Sequence, residues 1–160
     1  MNTIIVQQSE DAVWMTKAMH LACALARNQG GHIVVLRLAL ANNPGLLGWG
    51  ITPPTTQEEE QIALCAAIAQ DYGVAMCDQV MQYVTFTDAL AQAAEHLNAV
   101  ALFARIPNSR FSFWRQLRFW NLKRQLPACQ VYPLDEDFVS TSTGYLFPIT
   151  IGDRERRTNN

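Results

Sequence analysis

"TDALAQAAEHLNAVALFA", residues 87–104, holds the two patterns that decide the fold. Its first part, "TDALAQAAEHLN" (87–98), reads as a helix. Its second, "AVALFA" (99–104), is the short continuous apolar run of a buried strand. A strand apolar at nearly every position is covered on both faces, as in a parallel sheet whose crossovers are helices. The same alternation extends outward in both directions. Upstream, "TIIVQ" (3–7), "HIVVLRLAL" (32–40) and "AMCDQVMQYV" (75–84) carry strands separated by helical segments. Downstream, "FWRQLRFWNLKRQL" (113–126) is a helix and "ACQVYPL" (128–134) a fifth strand. With right-handed crossovers this order predicts an α/β, Rossmann-like domain: a five-stranded parallel sheet with helices on both faces.

The first two helices carry start and stop signals. Ser9 is the expected cap of the first, with Glu10 and Asp11 in its first turn, apolar Ala12, Met15, Met19, Ala22 and Ala26 beyond, and Gly30–Gly31 as its stop. Thr56 and Glu59 have the spacing of a capping box for the second, followed by Ile62, Cys65 and Ala69 and ended by Gly73. Between them "ANNPGLLGWGITPP" (41–54) is a long loop rich in Gly, Pro and Asn. Its Trp49 fits a lid, a dimer contact or local packing equally.

A chain of 160 residues, 49% hydrophobic and 16% charged, has the apolar content for one folded domain. That domain is expected over residues 1–134, with 135–160 a C-terminal tail that adds one short strand. No apolar run reaches the roughly 18–20 residues of a membrane span, and the N-terminus lacks the pattern of a signal peptide. Cys23, Cys65, Cys77 and Cys129 form no CxxC pair and read as buried free thiols, which fits a reducing cytoplasm and predicts no metal site. His20, His32 and His96 have no partner at a useful spacing, and no Ser sits in a Gly-x-Ser-x-Gly turn. The chain is therefore expected not to be an enzyme and to need no cofactor.

Charge is distributed unevenly. Residues 1–104 contain Lys17, Arg27 and Arg37 as their only cations, whereas 105–124 hold six Lys/Arg and no acid. Such asymmetry marks an anion-facing surface. The basic stretch "FARIPNSRFSFWRQLRFW" (103–120) leaves the sheet at a strand's carboxyl end, where doubly wound folds bind ligands. Within the fourth helix, Phe113, Leu117, Trp120, Leu122 and Leu126 read as core or interface contacts and the arginines as a solvated face. Contact with a partner or a membrane surface is the weaker alternative, and nucleic acid the weakest.

Three local sequences and the order of elements resemble the universal stress protein family over residues 3–134. "IIVQQSE" (4–10) is similar to that family's first strand and turn, "DALAQAAEHLNAVALFA" (88–104) to its third helix and fourth strand, and "PACQVYPL" (127–134) to its closing strand. The resemblance implies an adenine-nucleotide-hydrolase-like fold and a role in stress response. ATP-binding members carry Gly, two residues, Gly, nine residues, then Gly-Ser or Gly-Thr after the fourth strand. Here Ala104 and Pro107 stand at the first two glycines, Leu117 and Arg118 at the closing pair, and Gln7 at the Asp that meets the adenosine. Pro107 has no N–H to offer a phosphate, so the ATP cradle is expected to be missing.

Gln7, Ser9, Arg105, Asn108, Ser109 and Arg110 then form the expected remnant of an anion or nucleotide site. The expected function is a non-catalytic regulatory or interaction domain that does not bind ATP. The alternative is a small-ligand sensor that binds a nucleotide or another anion through the altered loop. By analogy with the family's closing strand, a homodimer through Cys129, Val131 and Tyr132 is expected. A protein partner or a fused transporter or sensor is the further expectation.

Overall fold

Ile4, Ile5 and Val6 lie fully buried at the centre of the molecule, with apolar side chains directed to both faces of one sheet. In the computed structural model, which describes residues 1–41, 53–107 and 111–134, the elements are β1 (Asn2–Gln7), α1 (Ala12–Gln29), β2 (Gly31–Leu40), α2 (Thr56–Tyr72), β3 (Met76–Tyr83), α3 (Phe86–His96), β4 (Ala99–Phe103), α4 (Ser112–Gln125) and β5 (Gln130–Tyr132). The strand order is β3-β2-β1-β4-β5, and every pairing is parallel. Val6 pairs with Val35 on one side and Phe103 on the other. The order reverses between β1 and β4, as the alternating sequence predicts.

Strand periodicity divides the core in two. Ile4, Val6, Ile33 and Val35 pack with Met15, Met19 and Cys23 of α1 and Cys65, Ile68 and Ala69 of α2. Ile5, Val34, Leu36 and Leu102 pack with Leu90 and Ala94 of α3 and Phe119 and Leu122 of α4. Both faces being covered explains why β1, β4 and the middle of β2 are apolar at successive positions, whereas the edge strand β3 includes polar residues and is exposed over residues 77–80.

The helix starts differ from the sequence expectation by small shifts. Asp11, not Ser9, caps α1: its carboxylate accepts from the Trp14 N–H at 3.0 Å, while the Ser9 hydroxyl accepts from the Asp11 N–H at 3.3 Å. The capping box of α2 is Thr55 with Glu58, one residue before Thr56 and Glu59, through bonds of 3.2 and 2.7 Å. Both helices end on a glycine in the left-handed region, Gly30 at φ 64° and Gly73 at φ 67°.

Two expectations about burial are corrected. In α4 the residues turned to the sheet are Phe119, Leu122 and, just past its end, Leu126; Phe113 and Trp120 are exposed and Leu117 is half-buried. Of the cysteines, Cys23, Cys65 and Cys129 are buried, but Cys77 is exposed on the edge strand β3. Most of the 41–54 loop, with Trp49, lies outside the described residues, as does the tail 135–160 with its expected extra strand. Among the described residues no helix is long and apolar enough to cross a membrane.

Candidate functional site

The carboxyl ends of β1 and β4 meet through a side chain. Gln7 ends β1, is buried, and accepts the Arg105 backbone N–H on its amide oxygen at 2.9 Å. Arg105 then turns its side chain toward α1. One terminal nitrogen lies 3.0 Å from the Asp11 carboxylate and the other 3.5 Å from the Ser9 hydroxyl. Gln7, Ser9 and Arg105 are thus brought together as the sequence suggests. Asn108, Ser109 and Arg110 lie outside the described residues.

Asp11 is what the sequence reading left out of this group. Its carboxyl is held below its ordinary pKa chiefly by the Trp14 N–H; partial burial opposes the shift, and the Arg105 guanidinium and the Val13 N–H reinforce it. The carboxylate offsets the guanidinium charge in place. A charge-assisted contact of this kind is geometrically specific, and it engages Arg105 within the chain.

Beside this group lies a cleft of about 410 Å³ at the ends of β1 and β2, walled by the start of α2. Its polar lining is connected. The Gln8 amide nitrogen donates to Gln61 Oε1 at 3.1 Å, and Gln61 Nε2 donates to the Ser9 carbonyl at 2.7 Å. Arg37, buried although charged, approaches Glu58 Oε2 at 3.7 Å, the same oxygen that accepts the Thr55 N–H. Gln8 Oε1 is buried without a hydrogen-bond partner. The lining offers amide donors and acceptors with one cation, Arg37, and two carboxylates, Glu10 and Glu58, which suits a polar ligand of low net charge better than a triphosphate.

Of the expected site residues that are described, only Ser9 lines this cleft. Arg37 carried a readable signal, being the single charge in the apolar run "HIVVLRLAL". Gln8, Thr55, Glu58 and Gln61 gave none beyond capping. Among the described residues no group of His, Cys, Asp and Glu is arranged to hold a metal ion.

A universal stress protein in complex with cAMP superposes with a TM-score of 0.58 over 82% of this chain and 94% of that chain, at 14% identity. The fold is that of the universal stress proteins. A member of that family from Burkholderia pseudomallei aligns with a TM-score of 0.52 over 81% of this chain and 92% of its own, at 17% identity. The protein from Archaeoglobus fulgidus in complex with dAMP aligns at 0.50 over 82% and 94%, also at 17% identity. No family model and no curated protein sequence matches the chain.

The four positions that the sequence resemblance sets against the glycine pattern lie in different environments in this fold. Ala104 is fully buried and its N–H donates to the Tyr132 carbonyl at 3.1 Å. Pro107 is exposed. Leu117 and Arg118 are inside α4, more than a turn past its start at Ser112, where the N–H groups are directed along the helix rather than toward a ligand.

At the sheet edge, β5 is only three residues long. Tyr132 stacks on Phe103 with ring centroids 4.9 Å apart, its hydroxyl bonds to Gln130, and the next residue, Pro133, accepts the Trp14 indole N–H at 2.9 Å. Val131 and Tyr132 are half-buried at this edge, whereas Cys129 is packed inside its own chain.

Proposed function

We propose that this chain is a non-catalytic regulatory or interaction domain that does not hold ATP and that signals through its surfaces. The observation that carries this reading is the engagement of Arg105 by Asp11 and Ser9, at the strand end where a nucleotide phosphate would need a free donor. The glycine positions taken by Ala104, Pro107, Leu117 and Arg118 support it, because side chains and a missing N–H stand where backbone must approach phosphate.

A second reading has a specific observation in its favour. The cleft of about 410 Å³ has the size of a small polar molecule, and one of its lining residues, Gln8, has a buried amide oxygen without a hydrogen-bond partner. Two proteins with the same fold were solved with cAMP and dAMP. On this reading the chain is a small-ligand sensor, and the lining of the cleft favours a nucleotide or nucleoside-like molecule of low net charge.

A thermal-shift panel of ATP, AMP, cAMP, dAMP and inorganic phosphate separates the two. The first reading expects no shift from any of them. The second expects one compound to stabilise, by about 2.7 kcal/mol at 100 times its dissociation constant, with the effect lost in Gln61→Ala. Stabilisation by ATP at micromolar concentration would overturn the first reading. The proposal includes a homodimer through the β5 edge, and a protein partner or fused module as the recipient of the signal.

A further inference from the structure

α4 carries two apolar stripes, not one. Phe119, Leu122 and Leu126 face the sheet. Two residues out of phase with Arg115, Phe119, Leu122 and Leu126, the positions Phe113, Leu117, Trp120 and Arg124 run with the same four-three-four spacing. Two residues correspond to roughly 200° around a helix, so the second stripe faces away from the sheet. Phe113 and Trp120 are 64% and 55% exposed, and Phe111 and Trp114 beside them 64% and 50%. Single exposed apolar residues are ordinary, but three exposed aromatics on α4, with Phe111 at its N-cap, are more than that.

The charge on this element has one sign. α4 contains Arg115, Arg118, Lys123 and Arg124 and no Asp or Glu, although the whole chain has a net charge of −2. Arg118 and Lys123 are exposed on either flank of the aromatic stripe. Arg124 lies within it, its guanidinium carbon 5.6 Å from the centroid of Trp120. Asp88 of α3 reaches α4 through a 3.5 Å hydrogen bond with Gln125, near its end.

We infer that the outer face of α4 docks on an anionic lipid surface. Phe113, Trp114 and Trp120 enter the headgroup boundary, while Arg118, Lys123 and Arg124 meet lipid phosphates. Charge complementarity selects this occupant. Basic helices with Trp and Phe on one face lie in the plane of the interface, where long cationic side chains bury their stems and keep their heads at the phosphates. A protein partner fits less well, because Lys, here the exposed Lys123, is depleted in protein interfaces but well placed at lipid phosphates. The contact is peripheral, since no described helix spans a bilayer.

Flotation of the full chain with vesicles tests this, using phosphatidylcholine alone and phosphatidylcholine mixed with phosphatidylglycerol. The expected result is binding to the mixed vesicles only, weakened by salt. The double variant Arg118→Gln/Lys123→Gln should bind about 30-fold more weakly, at about fivefold per cation. Phe113→Ser/Trp120→Ser should bind at least about tenfold more weakly while keeping the wild-type circular dichroism. Should that pair fail to fold, the charge variant decides alone. Absence of vesicle binding, equal binding to neutral vesicles, or binding untouched by the variants would overturn the inference. So would light scattering that shows Trp120→Ser dissociating an oligomer, which assigns the face to a second copy.

Discussion

The Arg105 guanidinium lies 3.0 Å from the Asp11 carboxylate, joining the segment after β4 to the N-cap of α1 across the middle of the sheet. Because the folded pKa of Asp11 lies below its unfolded value, its contribution is complete above the unfolded value of about 3.9 and is lost as pH falls through the lower folded one. Asn still caps a helix but carries no charge, whereas Ala does neither. Thermal unfolding at pH 7 should therefore rank wild type above Asp11→Asn and that above Asp11→Ala. Wild type and Asp11→Asn should converge in strong acid. A gap between them that is unchanged by acid would mean the ion pair contributes nothing.

Leu122 and Trp120 test which face of α4 is docked. Leu122 is fully buried, so Leu122→Ala should cost about 3 kcal/mol through lost burial and a residual cavity. Trp120→Ala should change stability by no more than about 0.5 kcal/mol, as exposed positions do. Denaturant titration reads both, and the reverse order would place the helix the other way round.

The cysteines should divide one against three. Burial pushes the thiols of Cys23, Cys65 and Cys129 up to about 11, whereas Cys77 is exposed on an edge strand. A thiol reagent at pH 8 should modify one cysteine quickly in the native protein and all four in denaturant. Peptide mapping that finds a residue other than Cys77 modified first would contradict the packing described.

The β5 edge predicts assembly. Unpaired strand edges are normally covered or paired, and a twofold contact is the commonest way to do so. The chain of 17.9 kDa should scatter light as a dimer, and Val131→Lys should shift it toward the monomer. With Pro133 lacking an N–H and its carbonyl taken by Trp14, pairing should run no further than Tyr132. A wild-type monomer at high micromolar concentration removes the prediction.

A parallel sheet with helices on both faces was legible because "IIV", "IVVL" and "ALF" are apolar on both sides, which a twice-covered sheet requires. The cap of α2 was ambiguous for a definite reason: in "TTQEEE" both Thr55 and Thr56 have a Glu three residues on, and local spacing does not choose between them. In α4 the two apolar stripes have the same period, so periodicity identifies a helix but not which stripe is inside. The cleft was hidden because its walls come from Gln8, Arg37 and Gln61, which are remote in sequence and otherwise unremarkable. The joining of Gln7 to Arg105 was anticipated only as proximity of two loops. That a neutral amide does it through a backbone N–H, with Asp11 answering the side chain, depends on three-dimensional placement.

The placement of β1 between β2 and β4 sets a schedule for the chain as it is synthesised. Residues 2–7 find one neighbour at 31–40, but the other strand that flanks them is not made until 99–103. At roughly 5–20 residues per second, the side of β1 that awaits β4 stays without its partner for some 5–20 s. During that interval Ile4, Ile5 and Val6 offer a bare apolar edge, the kind on which nascent chains adhere to one another. Output of folded protein should consequently respond more to chaperone supply and growth temperature than the melting point of the finished molecule suggests.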